Sequence, residues 1–401
     1  MKLNKLDYTV ILAFLAYSAN AVVVPVCLVV MLRELSLNLT DGGGIEAMRC
    51  VWGLVFLILS GFAAARWGKA RGLGVSSILL GLSLFLFALS PNYLMILIAM
   101  GMSGIGSGGL EGMINPLVQD LHPGDSGRYL NLTNAFWSVG VLGTALIAGE
   151  LLTHAISWRV LVTGIGVLSV VTGMLFLLFR EKREKRTEND IADTMNHIRI
   201  IMKRKTYWLF ALAMVCAGGA EGAYTFWSAS YIQICFNASP RAGGIGTACF
   251  AGGMMLGRFA WGHMVGQDGL KTLIIVSALG GVLASLGLLL VSSFVGLCIV
   301  LVVAGLAIAC FWPSIQSYAA DIMDVDHTML FILLSCAGIP GFGVICWLMG
   351  FIGQRSGLRA SFFMIPVVLL ALAITMLIVS RNKPARIRRD TDDAYPIIEP
   401  V

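Results

Sequence analysis

Charge is what this sequence has least of: Asp, Glu, Lys and Arg make up 12% of its 401 residues, against 58% hydrophobic. A soluble domain carries about 25% charged residues, so a water-facing surface of ordinary composition is excluded. Long polar stretches are also missing; the longest lies at 180–205, too short for a folded soluble domain. The nine cysteines include no Cys-x-x-Cys pair, which removes the usual zinc and dithiol frameworks and leaves them as small, soft core residues. His122, His154, His197, His263 and His327 fall near loops without a zinc-ligand partner. There is no Gly-x-Ser-x-Gly and no phosphate-cradling lysine loop, so no enzyme activity, cofactor or metal is expected.

What the chain does have is long apolar runs. They lie at 8–32, 48–66, 72–90, 93–118, 131–153 and 159–179, then at 206–232, 243–264, 270–291, 294–318, 328–351 and 358–380. A helix needs about 20 apolar residues to cross a bilayer, and in lipid only helices or closed barrels satisfy their own backbone. The expected fold is therefore all-α, with twelve transmembrane helices. Lys2, Lys5, Arg66, Lys69, Arg71, Arg128, the cluster at 180–186, Arg199, 203–205, Lys271 and 381–389 fall on one side. Only Arg33, Arg159, Arg241, Arg355 and Arg359 fall on the other. The positive-inside rule makes the loaded side cytoplasmic, so both termini are expected in the cytoplasm of a multi-pass cell (inner) membrane protein. The net charge of +6 then reports topology and lipid headgroups, and no nucleic-acid partner is expected.

The charged segment 180–205 divides the chain into an N-terminal bundle (1–179) and a C-terminal bundle (206–383), followed by a tail (384–401). Residues 191–201 have the spacing of a helix lying along the inner membrane surface. The halves echo one another. Gly61-Phe-Ala-Ala-Ala65-Arg66-Trp-Gly68-Lys69-Ala-Arg71 after the second run matches Gly257-Arg258-Phe-Ala-Trp-Gly262 and Gly266-Gln-Asp268-Gly269-Leu-Lys271 after the eighth. Each combines a small-residue helix end, a tight glycine turn and positive charge, as in transporters built from internal repeats. The first copy resembles the Gly-x-x-x-Asp-Arg-x-Gly-Arg-Arg loop of the major facilitator superfamily, with Ala65 where the acid is expected. The resemblance covers essentially the whole chain and implies two six-helix bundles around a central cavity.

Two carboxylates sit deep inside apolar runs: Glu111 in the fourth and Glu221 in the seventh. An ionisable group at mid-membrane costs roughly 2.5–3.5 kcal/mol on insertion scales, which makes each a functional candidate. Both are expected in the dry centre of the protein. Asn115 is four residues from Glu111, on the same helix face. Gly104, Gly108 and Gly112 recur every fourth residue upstream and allow a neighbouring helix to approach. In the seventh run Glu221, Tyr224, Ser228 and Tyr231 share a face with Trp227 beside them; the fifth adds Asn131, Asn134, Ser138 and Trp137. The tenth adds Trp312 and Gln316, and the first adds Tyr17 and Asn20. Amides hydrogen-bond hydroxyls and ring faces pack against sugar C–H groups, so this set suits a polyhydroxylated solute. Arg49 and Arg258 read as groups near helix ends, structural in role.

The same residues carry a closer resemblance. Leu110-Glu111-Gly-Met-Ile-Asn115-Pro116 is similar to the Leu-Glu-x-x-x-Asn-Pro of the fucose–galactose–glucose–proton symporter branch. Asn131-Leu-Thr-Asn134-Ala-Phe136-Trp137-Ser-Val-Gly140, Gly257-Arg258-Phe259 and Pro313-Ser-Ile-Gln-Ser317 resemble further segments of that branch. The resemblance implies sugar uptake driven by an ion gradient, with Glu111 contacting solute and proton. Ala21, four before Pro25, stands where the branch carries an acid, and Trp137 stands where it carries an amide. Proton, sodium and uncoupled transport all stay open at this point, with Glu221 as a second coupling candidate. The expected solute-binding set is Asn20, Glu111, Asn115, Asn134, Trp137, Glu221, Tyr224, Trp227, Trp312 and Gln316, with Arg66, Arg71 and Arg258 in gating or structural roles. The expected partners are a small sugar-like solute, a coupling ion and the bilayer around a monomer. An exporter of drugs or metabolites on the same fold is the alternative.

Overall fold

Asparagine caps the first two long helices of this chain. Asn4 and Asn38 each accept the N–H of an aspartate three residues on, and Asp7 and Asp41 reach back to the capping N–H. These reciprocal boxes satisfy donors that a helix start leaves open. The computed structural model describes residues 3–122, 126–179, 197–323, 325 and 327–381, with some side chains within those ranges left undescribed. The first half contains α1 (Lys5–Glu34), α2 (Leu39–Trp67), α3 (Lys69–Ala88), α4 (Tyr93–Leu121), α5 (Ser126–Thr153) and α6 (Trp158–Leu178). The second contains α7 (Lys205–Cys235), α8 (Pro240–Met264), α9 (Leu270–Leu290), α10 (Phe294–Ile308), α11 (Phe311–Ile322), α12 (His327–Ser356), α13 (Leu358–Ser361) and α14 (Met364–Arg381).

Two expected single spans are broken. The tenth run divides into α10 and α11 at residues 309–310, and the last divides into α13 and α14 at 362–363. A proline stands four residues after each break, Pro313 after Ala309 and Pro366 after Phe362. Its ring clashes with the carbonyl four residues back, where its missing N–H would have bonded. Taken as continuous spans, eleven helices among the described residues are long and apolar enough to cross a membrane. The remaining helix, α8, has 25 residues but is diluted by glycines and by Arg241, Arg258 and His263.

Within the first half, α4 lies on α2 and α3, α3 on α6, and α1 on α5 and α6; within the second, α7 packs on α12 and α14, α8 on α10, and α9 on α14. The α4 glycines do what their spacing predicts, and the helix they admit is α2. A Cβ at Gly104 would lie 2.3 Å from the Arg49 carbonyl oxygen, and one at Gly108 would lie 2.2 Å from that of Gly53. Gly68, with φ of 84°, makes the turn between α2 and α3 in a region that only glycine adopts cheaply. The echo at Gly266 is not a copy: its φ is −77° and a single 3-10 turn, Gln267–Gly269, follows.

The repeat survives in the contacts instead. Lys69 after α2 pairs with Asp120 near the end of α4 and donates to the Pro116 carbonyl at 3.3 Å. Gln267 after α8 donates to Asp321 near the end of α11 at 2.8 Å. Asp7 at the start of α1 meets His122 after α4 at 2.8 Å, and that imidazole stacks on Tyr129 with centroids 3.5 Å apart. Residues 197–202 form a short helical turn, and Trp208 donates to the Met202 carbonyl at 2.9 Å. The rest of the expected surface helix lies outside the described residues.

Candidate functional site

Among the described residues the halves meet chiefly through α1 with α7, α2 with α12, and α5 with α8, with a lesser contact of α1 with α8. Their tightest contacts gather at the end away from residue 5, where α2 and α8 begin and α5 and α12 finish. A Cβ at Gly43 would lie 2.7 Å from the Cys346 carbonyl oxygen, and one at Gly244 would lie 2.3 Å from that of Ala145. The Leu39 N–H donates to Gln354 at 3.1 Å, and Gln233 donates to the Val26 carbonyl at 3.4 Å. Arg241 donates from Nε to Glu150 at 2.5 Å, and its backbone N–H donates to Thr153 at 2.9 Å. This end is closed by backbone-to-backbone packing.

Below the closure a cavity of about 690 Å³ lies between the halves, walled off at that one end. That volume is ordinary for a small-molecule site. Its polar lining is Tyr17, Arg49, Glu111, Asn115, Trp137, Glu221, Arg258, Trp312 and Gln316, joined by Ser107, Ser138, Thr225, Thr247 and Ser335. Phe14, Leu57, Phe250, Met254 and Phe342 supply apolar wall. On the first-half side, Tyr17 and Glu111 face the cavity together, and the Tyr17 ring meets Trp137 edge-on at 4.6 Å. On the second-half side, Glu221 Oε1 is 3.9 Å from Arg258 Nη2, and Trp312 lies beside it. Gln316 donates to Ser335 at 2.8 Å. The second oxygen of Glu221 and the Trp312 indole N–H are both buried without a hydrogen-bond partner.

Six of the ten solute-contact candidates meet at this cavity: Glu111, Asn115, Trp137, Glu221, Trp312 and Gln316. Three do not. Tyr224 is fully buried, stacked on Phe250 at 5.1 Å. Trp227 is also buried and donates to the Cys346 carbonyl at 3.0 Å. Asn20 is buried and accepts from Ser103 at 3.2 Å. The reason for Tyr224 is angular. On a helix, positions three and four residues after Glu221 lie on opposite flanks of it; the cavity takes the flank of Thr225, leaving Tyr224 to face Phe250 of α8 and Phe362 in the break between α13 and α14. The Asn134 side chain lies outside the described residues.

Glu111 departs from the expected dry setting: it is exposed in the open cavity, while Glu221 is half-buried. Arg49 departs further from its expected place near a helix end. It stands ten residues into α2 and lines the cavity, paired with Glu46, which is 1% exposed. Glu46 escaped the sequence reading altogether, although a Glu three residues before an Arg inside an apolar run was the available signal. Arg66 and Arg71 are exposed near the α2–α3 turn, where Lys69 makes the cross-helix ion pair, and Arg258 lines the cavity.

The sequence matches the Major Facilitator Superfamily over residues 9–235 and 211–398, which together span nearly the whole chain. The chain belongs to that superfamily. A putative metabolite transport protein of Haemophilus influenzae is 24% identical over 267 residues, covering 63% of this chain and 64% of that protein. The chain thus spans slightly less than two thirds of that relative's length. The fold agrees with the superfamily's solved structures. A crystal structure of the nucleoside transporter NupG superposes with a TM-score of 0.76 at 13% identity, covering 94% of this chain and 99% of that one. A crystal structure of a D-xylose-proton symporter gives 0.75 at 13% identity, covering 95% and 98%. As a member of the superfamily the chain is a multi-pass membrane protein of a family of transporters.

Proposed function

We propose that the protein is a secondary active transporter for a small hydroxyl-rich solute, a sugar or glycoside, driven by a proton or sodium gradient through alternating access. One observation carries this reading: the two halves share a cavity, closed at one end, in which carboxylates, amides and indole rings converge from both sides. Asn115 and Gln316 offer donors and acceptors to hydroxyls, and Trp137 and Trp312 offer ring faces to C–H surfaces. Glu111, exposed and facing the cavity together with Tyr17, is placed to bind a hydroxyl or exchange a proton with water. Glu221 is the second coupling candidate. With the termini in the cytoplasm, the cavity opens inward. The domain division at 180–205, a monomeric state and an inner-membrane location belong to the same reading. The D-xylose-proton symporter shares the fold, and xylose and nucleosides both contain a sugar ring.

The test is uptake of labelled sugars and glycosides into vesicles with and without imposed proton or sodium gradients. Gradient-driven accumulation is expected, together with its loss in Glu111→Gln. Full gradient-driven uptake by that variant would remove Glu111 from the coupling scheme. Phe14, Phe250, Phe342 and Met254 in the wall favour a second reading, export of an amphipathic metabolite. Efflux from loaded vesicles that sugars do not compete would support it.

A further inference from the structure

The arrangement of charge in the cavity says more about the solute than the amides do. Arg49 and Glu46 form a pair in which the acid is withdrawn and the base is presented: Glu46 is 1% exposed and Arg49 13%. The guanidinium gives one edge to Glu46, with Nε 3.1 Å from Oε2 and Nη2 on Oε1. Cys50 steadies that carboxylate with its Sγ 3.7 Å from Oε1. A guanidinium is a double fork. The second edge, formed by Nη1 and the other Nη2 hydrogen, has no hydrogen-bond partner among the described residues, and Arg49 lines the cavity. Cys50, the next residue, packs against Gly343 of α12 in the contact between halves, so Arg49 marks the closed end of the chamber.

The opposite half repeats the pattern. Glu221 is 19% exposed and Arg258 41%, with 3.9 Å between them. Each half therefore sets an arginine in front of a carboxylate. The Arg49 pair is closed through one guanidinium edge and the Arg258 pair is loose at 3.9 Å, and in both the arginine lines the space that must accept a solute. A sugar hydroxyl can accept from such a donor, but a carboxylate gains more from it, because a charge-assisted bidentate bond is about twice as strong as a neutral one.

We infer that the solute carries a carboxylate beside its hydroxyls, as a sugar acid does, and that the free edge of Arg49 binds that carboxylate at the closed end of the cavity. The inference rests on the transport reading above and narrows its substrate class. Arg258 stands across the cavity as the second cation. Tyr17, Glu111 and Arg49 all line the first-half wall of the cavity. A proton taken from water by Glu111 would remove the one negative charge in the lining that no arginine backs and turn a repulsive acceptor into a donor.

The full-length protein in detergent tests this by ligand-induced thermal shift. The probes are glucose, galactose and xylose, the corresponding gluconate and galacturonate, and lactate and nitrite, all at constant ionic strength. Wild type should bind the sugar acids at least about tenfold more tightly than the neutral sugars, on the strength of a charge-assisted hydrogen bond. The double variant Glu46→Gln/Arg49→Gln removes both charges together and should bring that ratio close to one. Arg49→Lys should retain part of the preference and decides the matter if the double variant does not fold. Equal affinity for acids and neutral sugars, or a preference unchanged in the variants, overturns the inference and leaves the sugar reading standing. Stabilisation by nitrite or lactate with no response to any polyol overturns both.

Discussion

Arg49 and Glu46 show how much a single pair of side chains can depend on its surroundings. Paired, the two charges are tolerated in a nearly dry wall; separated, the survivor is stranded. Removing one member of a buried pair costs about 3–5 kcal/mol, much more than removing both. Glu46→Gln should therefore lower the melting temperature of the detergent-solubilised protein markedly, and Glu46→Gln/Arg49→Gln should recover most of the loss. Equal melting of the single and double variants would show that the pair is not closed on Glu46. Glu111 differs in kind, since its exposure lets Glu111→Gln leave stability nearly unchanged while altering transport.

At the level of elements, the close approach of helices is set by glycine. In α4 the Gly108 position leaves 2.2 Å between a would-be Cβ and the Gly53 carbonyl oxygen, far inside van der Waals contact. Gly108→Ala should push α2 away, destabilise the protein, and move Arg49 with the helix that carries it; near-wild-type melting would contradict this. At the closed end, two devices act on the α5–α8 contact: the Gly244 packing and the Arg241–Glu150 ion pair. The pair is well exposed, with side chains 49% and 44% accessible, and exposed ion pairs contribute little. Gly244→Ala should therefore open this end, seen as a longer distance between spin labels at His154 and Asn237. Glu150→Gln should leave that distance nearly unchanged. The reverse ranking would make the ion pair the latch.

For the whole molecule, alternating access requires the closed end to part during each cycle. Leu39 of α2 and Gln354 of α12 touch across the halves there. A crosslink between cysteines introduced at these two positions should stop transport, and reducing it should restore transport. Solute binding from the open end should survive the crosslink. Transport that continues at full rate with the link intact would exclude rocking of the halves about this cavity.

The linear sequence was enough for what depends on solvent and local geometry. Bilayer thickness set the spans, and the small-residue period of α4 marked a helix contact. It also named Glu111, Asn115, Trp137, Glu221, Trp312 and Gln316, because polar groups inside apolar runs are costly wherever they end up. What it could not supply was direction around each helix axis and partners between helices. Tyr224 and Thr225 are both near neighbours of Glu221 along the chain, yet only packing of α7 against α8 and the break between α13 and α14 decides which one sees the cavity. Arg49 looks like any arginine near a helix end until α4, α12 and Glu46 surround it, because the cost of a buried charge is settled by neighbours brought together in three dimensions.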